Sequence, residues 1–591
     1  MEPRESLAGR AAAGLRRWMG WPGWMGLLAS CLAAGVALAD DTALRIIYGA
    51  AFEGQPVAED GETILECDRA VAVLRVAYDR ALLAGAPIET RAIDYGAGRT
   101  YQTARLRDGA RITTTAEFGS LPPLEWSEER TEILGRSCRL ARTTLRSNRI
   151  ELWVDESAPV SGSPSTQFVA PTGLILRLVR NGNYVVEARS IEPLDPGSPR
   201  PRLEADWGTM LDLPAYRARV TDGYITTVSI FERDPIAWEN GAPVPADSSG
   251  LLRLGNGTLI ARKVRLPRAT PDVAIFAELT HRSRGDAYDR TGLVFALPAA
   301  QARSFFAAIS GDSSATPLLE GRMGRRYRGV TAREGFTPPL ELLRYITPFG
   351  VGHYNQQVQV DGLVWEDSLR FKIDVTDLIS HLQEEVWFVA VIENYDRGGH
   401  EVSLRLRYYP GERFAPSGEE SETGASRLAP LFSTVNLIGM SGFDRGRLFE
   451  HDTLRVRFSL PAGAQKPRLR YFTTGHGGWG GGDEFTPRTN SIILDGKLLT
   501  AITPWRSDCA TFRRLNPASG NFWNGLSSSD FSRSGWCPGM PVDPYWIPLG
   551  ELPPGEHELR VAIPMGAPEG SSTSAWLVSG ALSWEGRARE E

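Results

Sequence analysis

Four short stretches of this sequence carry residues whose types and spacing suit chemistry on a polar substrate. In GDAYDRTGLVF, Gly285 to Phe295, Asp286 and Asp289 flank Tyr288, Arg290 follows, and a hydrophobic run begins at once. One reading is a charged turn whose Asp289 caps backbone N–H groups; the other is a carboxylate held rigidly at a strand's mouth by the neighbouring guanidinium. In EEVWFVAVIENYDRGGH, Glu384 to His400, Glu393 ends an apolar run, Val386 to Ile392. Strand alternation puts it on the face of Trp387, Val389 and Val391, where burial raises a carboxyl pKa, unless the strand has already ended there.

The third stretch, TTGHGGWGGGDEF, Thr473 to Phe485, surrounds His476 and Trp479 with glycines and closes on Asp483 and Glu484. Ordering so many glycines costs entropy, so clearance for a bulky ligand and freedom to aim Glu484 are the expected return. The fourth, SSSDFSRSGWCPGM, Ser527 to Met540, sets Arg533 and Trp536 beside Cys537. An indole and a guanidinium suit a sugar platform, and a tryptophan packed on a disulfide in a core is the plainer alternative.

Other chemistries lack their residues. The seven histidines form no HxH, HxxxH or HExxH pattern, which argues against a metal site. Neither a GxSxG elbow nor a GxxxxGK[ST] phosphate loop occurs. A net charge of -6 and a composition 23% charged give no basic excess for nucleic acid.

The elements that must position these residues read as strands. Runs such as ALRIIYG, RIELWVD, GLILRLVR, VAIFAELT, GLVFAL, EVSLRLRYY, TLRVRFSL, SIILDG, HELRVAIP and SAWLVSGALSW are short, alternating or β-branched. Gly, Pro, Asn or Asp bound them, which predicts an all-β chain of sandwiches. Helical pattern is confined to PAAQARSFFAAI and DVTDLISHL. Arg16 and Arg17, an apolar run and Ala37-Leu38-Ala39 predict a signal peptide over 1–39, with a lipoprotein box at Cys31 as the second reading. No other run is long and apolar enough to span a membrane.

Two Pro- and Gly-rich breaks, Glu192 to Gly208 and Pro410 to Pro430, divide the rest. The expected units are a β-rich module over 40–200, a first sandwich over 209–410 and a second over 430–588. Export permits disulfides; proximity in sequence favours Cys67 with Cys138 and Cys509 with Cys537.

At these residues the sequence resembles the peptide-N-glycosidase F family. RSGWCPGM and the glycine-rich loop followed by an acid and an aromatic carry the likeness, which runs from about Tyr224 to Trp584. The resemblance implies two adjacent jelly-roll sandwiches with an active site at their interface, and hydrolysis of the amide joining the innermost GlcNAc of an N-glycan to asparagine. It implies Asp289 as principal catalytic acid, followed by Arg290, with Glu484 before Phe485 as the acid of the second sandwich and Glu393 with Tyr395 as the strand glutamate. Tyr288, Arg290, Tyr395, His476, Trp479, Arg533 and Trp536 fall on substrate-binding positions, and the family disulfide falls on Cys509–Cys537. Three acids in one cleft imply at least one raised pKa.

Departures accompany the likeness. No cysteines bracket HRSRGDAYDR, and Tyr288 and Tyr395 stand where tryptophans are usual. The N-terminal module matches the larger bacterial type of the family, and PTGLILRLVRNGNYVVEARSIEP also looks like secreted GLPGLI-type proteins. The resemblance implies a secreted or periplasmic single chain acting on N-glycosylated proteins or glycopeptides without cofactor or metal. A non-catalytic glycan-binding protein is the rival reading, and separation of the three acids would favour it.

Overall fold

The computed structural model describes residues 42–57, 62–76, 86–195, 197–239, 250–268, 273–299, 301–409, 426–435, 437, 445–477, 482–517, 528–565 and 574–586. The leader with Cys31, and Trp479, lie outside them. The chain is all-β: an N-terminal thirteen-stranded antiparallel sheet with one short parallel edge pair, then two adjacent jelly-roll sandwiches.

The N-terminal sheet buries Ile46, Tyr48, Leu65, Leu74, Ile93 and Leu176 on one face. Its polar strands, Arg99–Arg105, Arg111–Glu117 and Glu125–Ile133, lacked the apolar alternation that marks a strand in sequence. Cys67 and Cys138 are both buried thiols here and form no disulfide, so the proximity argument fails for them. Four strands separate theirs in the sheet order, which sequence spacing does not reveal.

The stretch Glu192 to Gly208 is clamped rather than loose. Trp207 stacks on Tyr101 with centroids 4.1 Å apart, and Arg111 donates to the Asp206 carbonyl at 2.6 Å. Thr209–Met210 and a helix, Leu213–Tyr224, continue on the same sheet. Asp212 caps that helix by accepting from the Ala215 N–H at 2.8 Å, a signal present in the sequence as Asp-Leu-Pro. The first sandwich therefore opens with the Thr226–Ile236 strand.

In that sandwich, Thr226–Ile236, Ala274–Ser283, Leu369–Asp374 and His400–Tyr409 face a sheet containing Leu259–Arg265, Thr291–Pro298, Leu340–Ile346 and Glu385–Ile392. The apolar runs GLVFAL and EVWFVAVI are explained by burial on both faces. Val294, Ala296, Phe388 and Ala390 enter the sandwich core. Leu293, Phe295, Val389 and Val391 pack instead on the helix Ala302–Ile309 and on Val435 and Leu437.

The second sandwich pairs Arg427–Ser433, Ala575–Glu585, Gln465–His476 and Tyr545–Pro548 over Leu454–Leu460, Gly555–Ala562, Asn490–Leu494 and Lys497–Ile502. Asp495 and Gly496 form the two-residue hairpin turn, both at positive φ (48° and 80°), as a hairpin of matching twist requires.

The two sandwiches meet along Leu340–Ile346, every residue of which is buried. Arg344 pairs with Glu341 at 2.6 and 2.8 Å and donates across the boundary to Thr474 Oγ1 at 2.8 Å and the Leu577 carbonyl at 2.7 Å. Arg470 returns bonds to the Glu341 and Leu342 carbonyls, and Ser579 Oγ donates to Glu341. Pro541–Val542, from the second half of the chain, adds a strand to the first sandwich's sheet. A buried ion pair with its hydrogen bonds satisfied tolerates little displacement, so this network fixes one sandwich relative to the other.

Candidate active site

The segment bearing Asp289 is tied at both ends. Ser283 Oγ donates to the Asp286 carbonyl at 3.0 Å, and the Tyr288 N–H reaches Asp286 Oδ1 at 3.2 Å. Arg290 and Thr347 exchange backbone and hydroxyl bonds at 2.8 Å each, which docks the segment on the end of Leu340–Ile346. Asp289 is thereby held at the mouth of the Thr291–Pro298 strand.

From the second sandwich, the glycine-rich segment splits its acidic pair. Asp483 turns inward, fully buried, and accepts from Arg488 at 2.8 Å and from the Trp576 indole at 2.9 Å. Glu484 points the other way, steadied by the Gly477 N–H at 3.3 Å. Gly475 has a structural reason of its own: a Cβ there would lie 2.8 Å from the Trp576 ring and 2.9 Å from the Asp483 carbonyl. At Gly475 the clearance thus serves the fold itself, where a bulky ligand was the expected beneficiary.

Arg533 joins the two acids. Its Nε donates to Glu484 Oε1 at 3.1 Å, and its Nη2 lies 3.7 Å from Asp289 Oδ2. The guanidinium is sandwiched between aromatic rings, 4.8 Å from Trp536 and 5.1 Å from Phe485, and Nη1 donates to the Phe531 carbonyl. The Cys509–Cys537 disulfide anchors the segment that carries it. Trp536 is 3% exposed, donates to the Gly475 carbonyl at 2.8 Å and stacks on His476. That burial corrects the sugar-platform reading of Trp536 and Arg533: neither offers a free face, and together they form the floor of the site.

Exposed aromatic surface lies elsewhere. Tyr288 is 55% exposed, with Arg290 over its ring at 5.2 Å, and Tyr395 is 58% exposed against Trp238. Glu393 sits one residue past the end of its strand, so the expectation of a carboxylate inside the strand does not hold. The pairing of Gly292 with Ile392 still sets it at the same sheet end as Asp289. Its field acts on the buried Arg445 of the second sandwich.

Electrostatics pushes the central acids apart from their ordinary behaviour. Burial raises the Asp289 pKa, opposed by Arg533 and Arg290. Burial, then repulsion from Asp289, pushes Glu484 up to about 7, again against Arg533. The two acids repel each other, so the pair titrates jointly. Burial, with Arg344 and Arg533, lowers His476 to about 3, so its imidazole is neutral while Nε2 lies 2.8 Å from Thr474 Oγ1. Among the described residues, no group of three or more His, Cys, Asp or Glu is arranged to hold a metal ion.

Sequence reasoning missed the partners behind these acids. His281 follows Ile275, Ala277 and Leu279 in core-facing phase, a signal that could have marked it as buried. Asp286, buried against Arg290 and His400, carried no signal separating it from Asp289.

Comparison with known proteins bears on this arrangement. Residues 227–408 match the model for peptide-N-glycosidase F, N terminal, and residues 445–583 the model for its C terminal. Residues 46–218 match the N-glycanase peptide, N-terminal domain. The solved structure of PNGF-II in space group P21 is 36% identical, covers 93% of this chain and 100% of its own, and superposes with a TM-score of 0.75. The chain belongs to the peptide-N-glycosidase F family. The C2 form of PNGF-II gives 35% identity over 93% of this chain and 99% of its own, TM-score 0.70. No curated protein matches. The 46–218 match assigns the N-terminal module within this family. No described helix is long and apolar enough to cross a membrane.

Proposed function

We propose that this protein is a secreted glycoamidase that hydrolyses the amide between the innermost GlcNAc and asparagine of N-glycoproteins or N-glycopeptides, as a single chain. The observation that carries the reading is Arg533 between Asp289 and Glu484, two acids delivered by different sandwiches to one point. Two carboxyls with raised proton affinity supply a base and an acid at the same pH.

In this reading Asp289 is the base. Water adds to the side-chain carbonyl carbon of the glycosylated asparagine and gives its proton to Asp289. The C–N bond then breaks, and the Glu484 proton goes to the leaving nitrogen, which departs as a glycosylamine. Aspartate remains in the peptide. Proton exchange with solvent resets the pair. General acid–base help of this kind is worth roughly 10²–10⁴-fold per group. Tyr288 and Tyr395 supply exposed faces for the apolar side of a pyranose, and Glu393 takes hydroxyls of the chitobiose end.

A glycan-binding protein without catalysis gains nothing from two carboxyls held against each other at a cost in ionisation. Incubation with a defined N-glycopeptide, followed by mass measurement of peptide and sugar, tests the proposal. Aspartate in the peptide and a complete released glycan are expected. A peptide that keeps one GlcNAc, or an intact glycopeptide, would reject it.

A further inference from the structure

Behind Asp289 lies a buried polar chain that the reaction above leaves unused. Asp286, 2% exposed, accepts from Arg290 Nε at 2.7 Å and Nη2 at 3.2 Å. His400 Nε2 lies 3.2 Å from the Asp286 carboxylate, and His400 Nδ1 lies 3.0 Å from His281 Nε2. Burial would raise the Asp286 pKa, but hydrogen bonds from His400 and Arg290 outweigh it and hold the group well below the carboxylate range. Burial keeps both imidazoles neutral.

With Asp286 ionised and both histidines neutral, one proton arrangement fits. His400 donates from Nε2 to Asp286, so its Nδ1 accepts from His281 Nε2–H. His281 Nδ1 then carries no proton and finds no partner among the described residues. The chain ends in the core, so it conducts no proton to solvent. What it can do is orient Asp286 against Arg290.

We propose that Asp286 is a positioning residue of the hydrolysis: backed by His400 and His281, it holds the Arg290 guanidinium in place behind Asp289 and offsets its charge there. The proposal rests on the glycoamidase reading. Asp289 is also faced by Glu484 and Arg533 from the second sandwich, and His400 by Asp396. None of those is altered in the test.

The test is the acid limb of kcat/KM on an N-glycopeptide for D286N, R290Q and the double variant. Asp286→Asn leaves the Arg290 charge unopposed and should move the limb down by about one pH unit. Arg290→Gln leaves Asp286 unopposed and should move it up by about as much, and the double variant should return within about 0.5 unit of the parent. Lower kcat with unmoved limbs, or two shifts of the same sign, would overturn the proposal. Should D286N fail to fold, the double variant, which leaves neither charge of the pair buried alone, decides against R290Q: its limb should lie about one pH unit below that of R290Q, and an equal limb would overturn the proposal. Carbodiimide labelling of Asp289 against pH, located by mass spectrometry, gives the same order without turnover. If the parent releases no glycan yet labelling keeps the order, the glycoamidase reading fails and the positioning role stands. Released glycan without that order fails the positioning role alone.

Discussion

Arg533→Met removes the cation shared by Asp289 and Glu484, and its effect can be worked from two distances. At an effective dielectric of about 20, contacts of 3.1 and 3.7 Å are worth roughly 5 and 4 kcal/mol of attraction. Arg533 is buried, and aromatic rings rather than water would fill its place. Part of that attraction offsets the desolvation of the three groups, so the net rise in proton affinity is expected at about 1–3 pH units. Glu484, already up at about 7 with Arg533 in place, would then stay protonated through the neutral range. Both limbs of the kcat/KM profile should move alkaline, and turnover at pH 7 should fall by roughly 10²-fold or more as Asp289 loses its charge. Arg533→Lys should fall between, because a point charge cannot span both acids as the fork does. The assay is glycan release from a fluorescent glycopeptide between pH 5 and 10, with thermal unfolding to confirm the fold. A folded Met variant with an unshifted profile would refute the coupling through Arg533.

Glu484 and the disulfide give two further expected outcomes. The folded pKa of Glu484 lies above its ordinary 4.5 at about 7, so its contribution to stability is complete below 4.5 and is lost as pH rises through 7. Glu484→Gln should lose less stability than the parent between pH 6 and 9, by an amount on the order of 1 kcal/mol, and an equal loss in both would contradict the burial argument. Cys509→Ser opens a crosslink between residues 28 apart, worth about 3–4 kcal/mol in chain entropy. Its Tm should drop to that of the reduced parent, and glycan release should fall because the segment bearing Arg533 is loosened; unchanged turnover would show that the segment is held by other contacts.

Much of the fold was legible in the sequence, because most strands keep a period of two or an unbroken β-branched run. EVWFVAVI is apolar on both faces, but the run itself does not say that the helix Ala302–Ile309 covers the second. Strands rich in Thr, Arg and Glu were illegible, since hydroxyls and charges stand where apolar side chains would mark a face, even where, as at Thr113 and Thr114, the side chain is buried. The pair Glu341 and Arg344 inside LELLRYI was a readable anomaly, two charges in a strand of wholly buried residues, and it marks the contact between sandwiches. Trp536 and Arg533 could be placed together by spacing, but whether an indole faces solvent or core depends on Gly475 and His476, some sixty residues away, which spacing does not encode. The same holds for the cysteines: 509 and 537 bond, while 67 and 138 are buried in one core cluster as free thiols.

In the proposed reaction Asp289 activates water against a glycosylated asparagine side chain. Hydrolysis of an N-glycopeptide in heavy-oxygen water reports on that step. The product peptide should carry aspartate with one heavy oxygen in its side chain, and the Asp289→Asn variant, folded by thermal unfolding, should yield almost none. Aspartate without the isotope, a peptide retaining one GlcNAc, or a variant keeping half the parent's activity would contradict the account.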